Sequence, residues 1–298
     1  MKNKDKKIIV ILGPTASGKS ALAVKIAKKV DGEIISADSR QIYKGMDIGT
    51  GKVTKKEMQG IPHHLLDVAN PKRIFNVFQY RKLALKTINN IFKKDKVPIL
   101  CGGTGFYIQA VIDGIELPEV KPDWKLRKRL EKKSTAELYK ILKKIDSKRA
   151  KTIDRKNPRR LIRAIEIVTK TKKPVPAFQK NPLPYPALII GVKKSSAELK
   201  KLIKKRLLKR LKNGMVTEAK KLHKDGVSWK RLGEFGLEYR WLSQYLQKKI
   251  TYKEMIEKLQ KDTEHFSKHQ MTWFKRDERI KWIKNYKEIE ELIRILVK

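Results

Sequence analysis

The feature that most constrains this chain is a run of eight residues near its start. Gly13-Pro14-Thr15-Ala16-Ser17-Gly18-Lys19-Ser20 fits the pattern G-x-x-x-x-G-K-[S/T]. The residues just before it, Ile8-Ile9-Val10-Ile11-Leu12, are all apolar, as in a strand buried on both faces. Residues 19–30, beginning inside it, carry helical spacing. Strand, glycine-rich turn and helix in this order make a phosphate loop. The glycines let backbone N–H groups curl around phosphate oxygens, and the helix N-terminus adds its positive end. Lys19 is placed to reach the terminal phosphate, and the Ser20 hydroxyl to hold Mg²⁺. Such a chain binds a di- or triphosphate, and the motif does not distinguish a nucleotide from another pyrophosphate.

The rest of the chain fits an α/β protein with a parallel sheet flanked by helices. Residues 1–117 alternate short apolar runs with helical patterns: further strands at 33–36 and 97–101, and a helix over about 76–93. From residue 118 the character changes. Residues 121–182 hold 22 basic and six acidic residues with helical spacing throughout, and prolines 174, 176, 182, 184 and 186 punctuate a linker. Ala187–Val192 then reads as one more buried strand. The expected organisation is a P-loop core formed by 1–117 and 183–298, interrupted by an all-helical insertion at 118–182. Residues 195–298 read as helical, ending in an apolar-periodic segment at 289–296.

Charge narrows the function classes. Lys and Arg number 73 against 31 Asp and Glu, a formal net charge of +42. That balance suits a polyanionic partner, nucleic acid above all. Lys outnumbers Arg 56 to 17, which also fits a compositional bias unrelated to binding. The one cysteine, Cys101, excludes a disulfide framework and a multi-cysteine metal site. No apolar run approaches the ~20 residues that span a bilayer. The basic stretch 1–7 precedes only five apolar residues, too few for a secretion signal. A cytoplasmic protein with no membrane partner, acting as a monomer, is expected.

Two other segments stand near the phosphate loop. Asp38 follows the second strand at the edge where open parallel sheets bind ligands. It could serve as general base, as a metal-shell ligand or as the cap of the next turn. Gly102-Gly103-Thr104-Gly105 follows a later strand at the same edge, where the glycines suit either close approach of backbone to a ligand or an ordinary turn. Phe266, Gln270, Trp273 and Phe274 recur at helical spacing, and the aromatics read as core packing rather than base-stacking platforms.

These segments carry a family resemblance. The phosphate loop is followed by Ile35-Ser36-Ala37-Asp38-Ser39-Arg40-Gln41-Ile42-Tyr43-Lys44-Gly45-Met46-Asp47-Ile48-Gly49-Thr50 and by Pro62-His63-His64-Leu65-Leu66-Asp67. Then come Gly102-Gly103-Thr104-Gly105-Phe106-Tyr107, Asn157-Pro158-Arg159-Arg160-Leu161-Ile162-Arg163-Ala164 and Lys268-His269-Gln270-Met271-Thr272-Trp273-Phe274-Lys275-Arg276. Together, in order and over nearly the whole chain, they resemble the tRNA dimethylallyltransferases. The resemblance implies transfer of a dimethylallyl group from dimethylallyl diphosphate to N6 of the adenosine 3′-adjacent to the tRNA anticodon, position 37. It implies that Gly13–Ser20 holds the diphosphate, with Mg²⁺ on Ser20, and that Asp38 takes the proton of the exocyclic amine. It also implies that Lys19 and Arg206 stabilise the leaving group. The tRNA anticodon stem-loop is implied to meet Asp38, Ser39, Arg40, Gln41, Thr104, Arg127 and the stretch Arg159, Arg160, Leu161, Ile162 and Arg163. Arg159 and Arg163 share a helix face that could track phosphates or simply be solvated.

The chain departs from the family pattern in Gly236-Leu237-Glu238-Tyr239-Arg240, where Glu238 replaces a glycine near the expected tRNA path. His269 stands where a second basic residue is common. Two rival readings remain at this stage. A small-molecule or nucleoside kinase would use the same loop but needs carboxylates ending an apolar strand, which are not found. A non-catalytic RNA-binding protein would leave the phosphate loop and Asp38 without a purpose.

Overall fold

The computed structural model describes residues 6–115, 118, 120–176, 180–283, 288, 289 and 291. In chain order the elements are β1 (Ile8–Leu12), α1 (Lys19–Lys29), β2 (Gly32–Ser36), α2 (Lys55–Met58), β3 (His63–His64), α3 (Val77–Phe92), β4 (Val97–Gly102) and α4 (Gly105–Ile112). Helices α5 (Trp124–Leu130), α6 (Thr135–Ile145), α7 (Ser147–Thr152) and α8 (Pro158–Thr171) follow. The chain continues with β5 (Ala187–Val192), α9 (Ser196–Lys212), α10 (Met215–Lys224), α11 (Trp229–Phe235), α12 (Leu237–Leu246), α13 (Tyr252–Phe274) and β6 (Lys281–Ile283).

The chain divides into two compact units, Met1–Asp113 with Pro182–Lys298, and Gly114–Asn181. The inserted unit thus begins at Gly114 rather than at 118. Its entry and exit are tied to each other, with Asn181 N–H donating to Gly114 O at 3.2 Å and an antiparallel bridge joining Ile115 to Lys180.

In the first unit a parallel sheet of order β3-β2-β4-β1-β5-β6 puts β1 at its centre. The apolar run of β1 serves both faces. Ile8, Val10 and Leu12 join one core, while Ile9 and Ile11 join the other. The first core is covered by α3, α4 and the later helices, through residues such as Tyr80, Leu207, Met215, Phe235, Tyr239 and Met255. The second is covered by α1 through Ala23, Val24, Ile26 and Ala27. Each fully buried isoleucine here contributes about 1.5–3 kcal/mol. Helix starts follow local chemistry: Asn76–Gln79 and Thr251–Glu254 form capping boxes at α3 and α13.

β3 and β6 were not anticipated from the alternation of apolar residues, being two and three residues long. Of the apolar-periodic segment expected at 289–296, all but Ile289 and Glu291 lies outside the described residues; Ile289 is buried in the second core.

The second unit packs α5 to α8 around Leu126, Leu130, Leu138, Leu142, Ala150, Ile153, Leu161, Ile162, Ala164 and Ile165. Asp123, Ser134, Asp146 and Asn157 cap its four helices in turn. Among the described residues no helix of the protein is long and apolar enough to cross a membrane.

Candidate active site

Because the strands are parallel, their carboxyl ends open on one edge, and β1, β2, β4 and β5 deliver their following loops there. The Gly13–Gly18 loop leaves β1 and feeds α1. Gly13 has φ +155°, and a Cβ there would lie 2.9 Å from Val192 O, so only glycine lets the loop turn against β5. Lys19 folds back over the loop, its Nζ donating to Pro14 O at 3.2 Å. The Ser20 side chain is exposed beside it. The buried Ser17 Oγ has no hydrogen-bond partner among the described residues, a position that a ligand oxygen can satisfy.

Gln270, on α13, ties this loop to the next one. Its Oε1 accepts from Thr15 N–H at 2.8 Å, and its Nε2 donates to Gly103 O at 2.8 Å. The glycines of Gly102–Gly105 make room for close protein neighbours. Added Cβ atoms would meet Ala37 O at 2.1 Å from Gly102, Gln270 Nε2 at 2.3 Å from Gly103, and Trp273 Cδ1 at 2.3 Å from Gly105. The close approach seen there is of the chain after β2 to Gly102 and of helix α13 to Gly103 and Gly105. Trp273 and Phe274 pack as expected, but Phe266 is exposed on the outer side of the helix.

The charges at this edge are unbalanced. Burial holds the Lys19 ammonium below the usual lysine range; the guanidiniums of Arg206 and Arg210 push the same way, and Asp38 opposes them. Arg206 is lowered to about 10, by burial first and then by Arg210. Its Nη2 donates to Gly51 O at 3.1 Å. Burial pushes the Cys101 thiol up to about 12, so it stays a neutral filler.

Asp38 is half-buried, and of the three roles open to it the geometry shows the turn cap, on one oxygen. Oδ1 accepts from Arg40 N–H at 2.8 Å and Gln41 N–H at 3.3 Å, capping the turn. Oδ2 accepts no hydrogen bond among the described residues. The neighbouring side chains are tied to the protein. Thr104 Oγ1 accepts from Ser39 N–H at 3.0 Å, Arg40 Nε donates to Phe235 O at 2.7 Å, and Gln41 Nε2 donates to Gly51 O at 3.3 Å.

In the inserted unit the expected nucleic-acid positions divide. Arg159 and Arg160 are exposed, with Arg160 Nη1 3.9 Å from Asp154. Leu161 and Ile162 are core residues, so their side chains set the register of α8 rather than meeting a ligand. Arg127 and Arg163 converge on the fully buried carboxylate of Glu166. Arg127 donates from Nε at 2.8 Å and from Nη2 at 2.7 Å, and Arg163 donates from Nη1 at 2.6 Å. Arg163 also donates to Val120 O at 3.0 Å and Pro118 O at 3.3 Å. The face shared by Arg159 and Arg163 is thus not a continuous phosphate track. A buried carboxylate needs counter-charges, and these arginines supply them.

Several residues of the site escaped sequence reasoning. Glu218 accepts from the N–H groups of Asp47, Ile48 and Gly49 at 2.8, 2.6 and 2.9 Å, and from Tyr239 OH at 2.6 Å, gripping the loop that carries Gly51. Arg210 and Gln270 were passed over as well. The available signal was a polar residue at a buried helical position, as with Gln270 among aromatics.

The donor set suits magnesium in kind. Ser20 and Asp38 are hard oxygen donors, and the orphaned Ser17 hydroxyl marks room for ligand oxygens. No group of three His, Cys, Asp or Glu side chains able to hold a metal occurs among the described residues. An ion here would be held mainly by substrate phosphates and water, as Mg²⁺ usually is.

Comparison with known proteins agrees with this geometry. The model of the family described as IPP transferase matches residues 41–277. The tRNA dimethylallyltransferase of Acetivibrio thermocellus is 43% identical over 284 residues, covering 93% of this chain and 91% of its own. That of Carboxydothermus hydrogenoformans is 41% identical over 300 residues, covering 96% and 94%. The crystal structure of the full-length tRNA isopentenylpyrophosphate transferase from Bacillus halodurans superposes with a TM-score of 0.72 at 34% identity, covering 99% of this chain and 97% of that one. A eukaryotic dimethylallyltransferase acting on tRNA gives 0.71 at 25% identity, covering 90% and 69%. A phosphate loop, Asp38 beside it and matching relatives along nearly the full length lead to one conclusion: the chain belongs to the IPP transferase family, the tRNA dimethylallyltransferases.

Proposed function

We propose that this chain transfers the dimethylallyl group of dimethylallyl diphosphate to N6 of the adenosine at position 37, next to the tRNA anticodon. The observation that carries the reading is that Lys19, folded over the phosphate loop, and the buried Arg206 stand within electrostatic reach of each other and of Asp38. Neither cation makes a salt bridge among the described residues, so both keep their charge for a diphosphate. In the reaction a bond forms from N6 to the allylic carbon, the carbon–oxygen bond breaks, and the diphosphate leaves with the electron pair. Lys19, Arg206 and the loop amides stabilise that charge as it develops. The amine is a weak nucleophile because its lone pair is delocalised into the ring, and Asp38 Oδ2 takes the N6 proton as the new bond forms, so that no cationic nitrogen is left. Ser20 would hold Mg²⁺, whose charge would neutralise the departing diphosphate. The target base must leave the anticodon-loop stack, which costs far less from a single-stranded loop than from a duplex. Arg159 and Arg160 are the insertion's candidates for phosphate contacts.

A kinase on the same loop is disfavoured by the strand ends: β4 runs into Gly102-Gly103 and β5 into Lys193-Lys194, with no carboxylate at either. Incubation with bulk tRNA and dimethylallyl diphosphate, followed by nucleoside mass analysis, should show a C5H8 gain on one adenosine. ATP-dependent phosphorylation of a small molecule with no mass gain on tRNA would overturn the reading.

A further inference from the structure

Arg210 and Glu238 have no part in the scheme above, yet they sit against it. Arg206 and Arg210 lie one turn apart on α9, so both side chains leave the same face. Both press on the backbone at Gly51, where φ is +59°. A Cβ built there would lie 1.8 Å from Arg210 Nη2 and 2.4 Å from Arg206 Nη2. Each guanidinium also donates to a carbonyl of that loop, Arg206 to Gly51 O and Arg210 to Gly49 O, both at 3.1 Å. Two like charges side by side in a largely buried place repel each other.

They differ in one respect. Arg210 Nη1 donates to Glu238 Oε1 at 3.1 Å, with both side chains only 14% exposed. Among the described residues Arg206 makes no salt bridge. Glu238 is nevertheless within electrostatic reach of it, and is the carboxylate that most favours its charged form. Leu237, just before Glu238, has φ +39°, a conformation that costs a leucine energy and that the surrounding packing must impose.

We propose that Arg210 is a positioning residue for Arg206: by occupying Glu238 it keeps that carboxylate from capturing Arg206, and so leaves Arg206 available to the diphosphate. The inference rests on the reading that the phosphate loop receives a diphosphate. The Arg210–Glu238 pair is neutral, and Lys19 and Arg206 are left without a salt-bridge partner among the described residues. Without Arg210, Glu238 would be an unpaired carboxylate whose best partner is the guanidinium one turn away. An unpaired buried charge recruits the opposite charge it can reach.

The test is a double-mutant cycle on the full chain, read by calorimetric titration with inorganic diphosphate. Arg210→Met should weaken binding about tenfold, within the range for coupled charged neighbours. Adding Glu238→Gln to that variant should bring affinity back to within about threefold of wild type, because the competing carboxylate is gone. A purely structural grip of Arg210 on Gly49 predicts instead that the double variant is at least as weak as the single one, and that result overturns the proposal. If Arg210→Met does not fold, Arg210→Lys substitutes: it keeps the charge on Glu238 and should bind within about threefold of wild type, whereas a tenfold loss overturns the proposal. In the transfer assay the single variant should raise KM for dimethylallyl diphosphate with little change in kcat. A wild-type protein that binds inorganic diphosphate but transfers no isoprenoid would defeat the reading of function, while the calorimetric cycle would still decide this proposal.

Discussion

Arginines gather in two places in this protein, and the two clusters do opposite things. At the sheet edge, Arg206 and Arg210 on α9 join Lys19, facing Asp38 and Glu238. There Lys19 and Arg206 make no salt bridge among the described residues, and their charge remains for a ligand. In the inserted unit, Arg127 and Arg163 meet on Glu166, whose carboxylate is wholly buried while the arginines are 24% and 35% exposed. There the charge is spent inside the fold. The lesson is that a count of basic residues does not locate a binding surface; what matters is whether each cation is already held by a buried carboxylate.

The largest expected effect breaks the first cluster at its acid. Asp38→Asn should keep diphosphate binding and lower the transfer rate by about 10²–10⁴, the usual size of a general-base contribution. Near-normal turnover by single-turnover assay would remove Asp38 from that role.

The second cluster breaks in stability rather than rate. Glu166→Ala should cost about 3 kcal/mol, at the low end for a broken buried pair because the arginines are partly exposed. Burial pushes the Glu166 carboxyl up, but bonds from Arg127, the Asp123 N–H and Arg163 outweigh it and hold the group below its ordinary value of 4.5. A carboxyl lowered on folding stabilises the fold above its unfolded-state value, and that contribution is lost as pH falls through the folded one. Denaturant melts of the wild type should therefore weaken below about pH 4.5, with Glu166→Gln flattening that dependence. Equal acid sensitivity in both proteins would assign the stability to packing alone.

A smaller effect is expected where the two glycine-rich loops are joined. Gln270→Ala leaves the Thr15 N–H and Gly103 O without their partner and should cost about 1–3 kcal/mol. It should also loosen diphosphate binding, and an unchanged affinity would show that the loop holds its shape without α13.

The smallest change should sharpen the contrast within the insertion. Arg159→Gln with Arg160→Gln should lower the slope of log affinity for tRNA against log salt by about 1–2, since each phosphate contact contributes about 0.7–0.9. Arg163→Gln should change the melting temperature more than that slope. The reverse ranking would mean that Arg163 leaves Glu166 when RNA arrives.

Much of the fold was legible in the sequence because its signals are local. The apolar run Ile8–Leu12, the glycine pattern and the Lys19 helix place the phosphate loop without any tertiary information, and Ala187–Val192 announces the return to the sheet. Asp38, Lys19 and Ser20 were legible for the same reason, since each is within a few residues of a strand end. The loop at Gly102–Gly105 was visible as either a place of close approach or an ordinary turn, but what meets Gly103 and Gly105 is Gln270 and Trp273, more than 160 residues away. Sequence spacing carries no record of such a partner.

What the sequence by itself determined is the phosphate loop, the parallel sheet, the helical insertion and the family, because strand and helix periodicity and contiguous motifs are properties of neighbouring residues. Only the tertiary structure decided which charges are spent and which are free. Arg127 and Arg163 were indistinguishable in sequence from Arg159 and Arg160, until the fold brought Glu166 to the first pair and left the second in solvent. Glu238 looked like an anomaly until the turn at Leu237 set it against Arg210. An electrostatic interaction depends on distance and burial across the chain, and those two quantities exist only once the chain has folded.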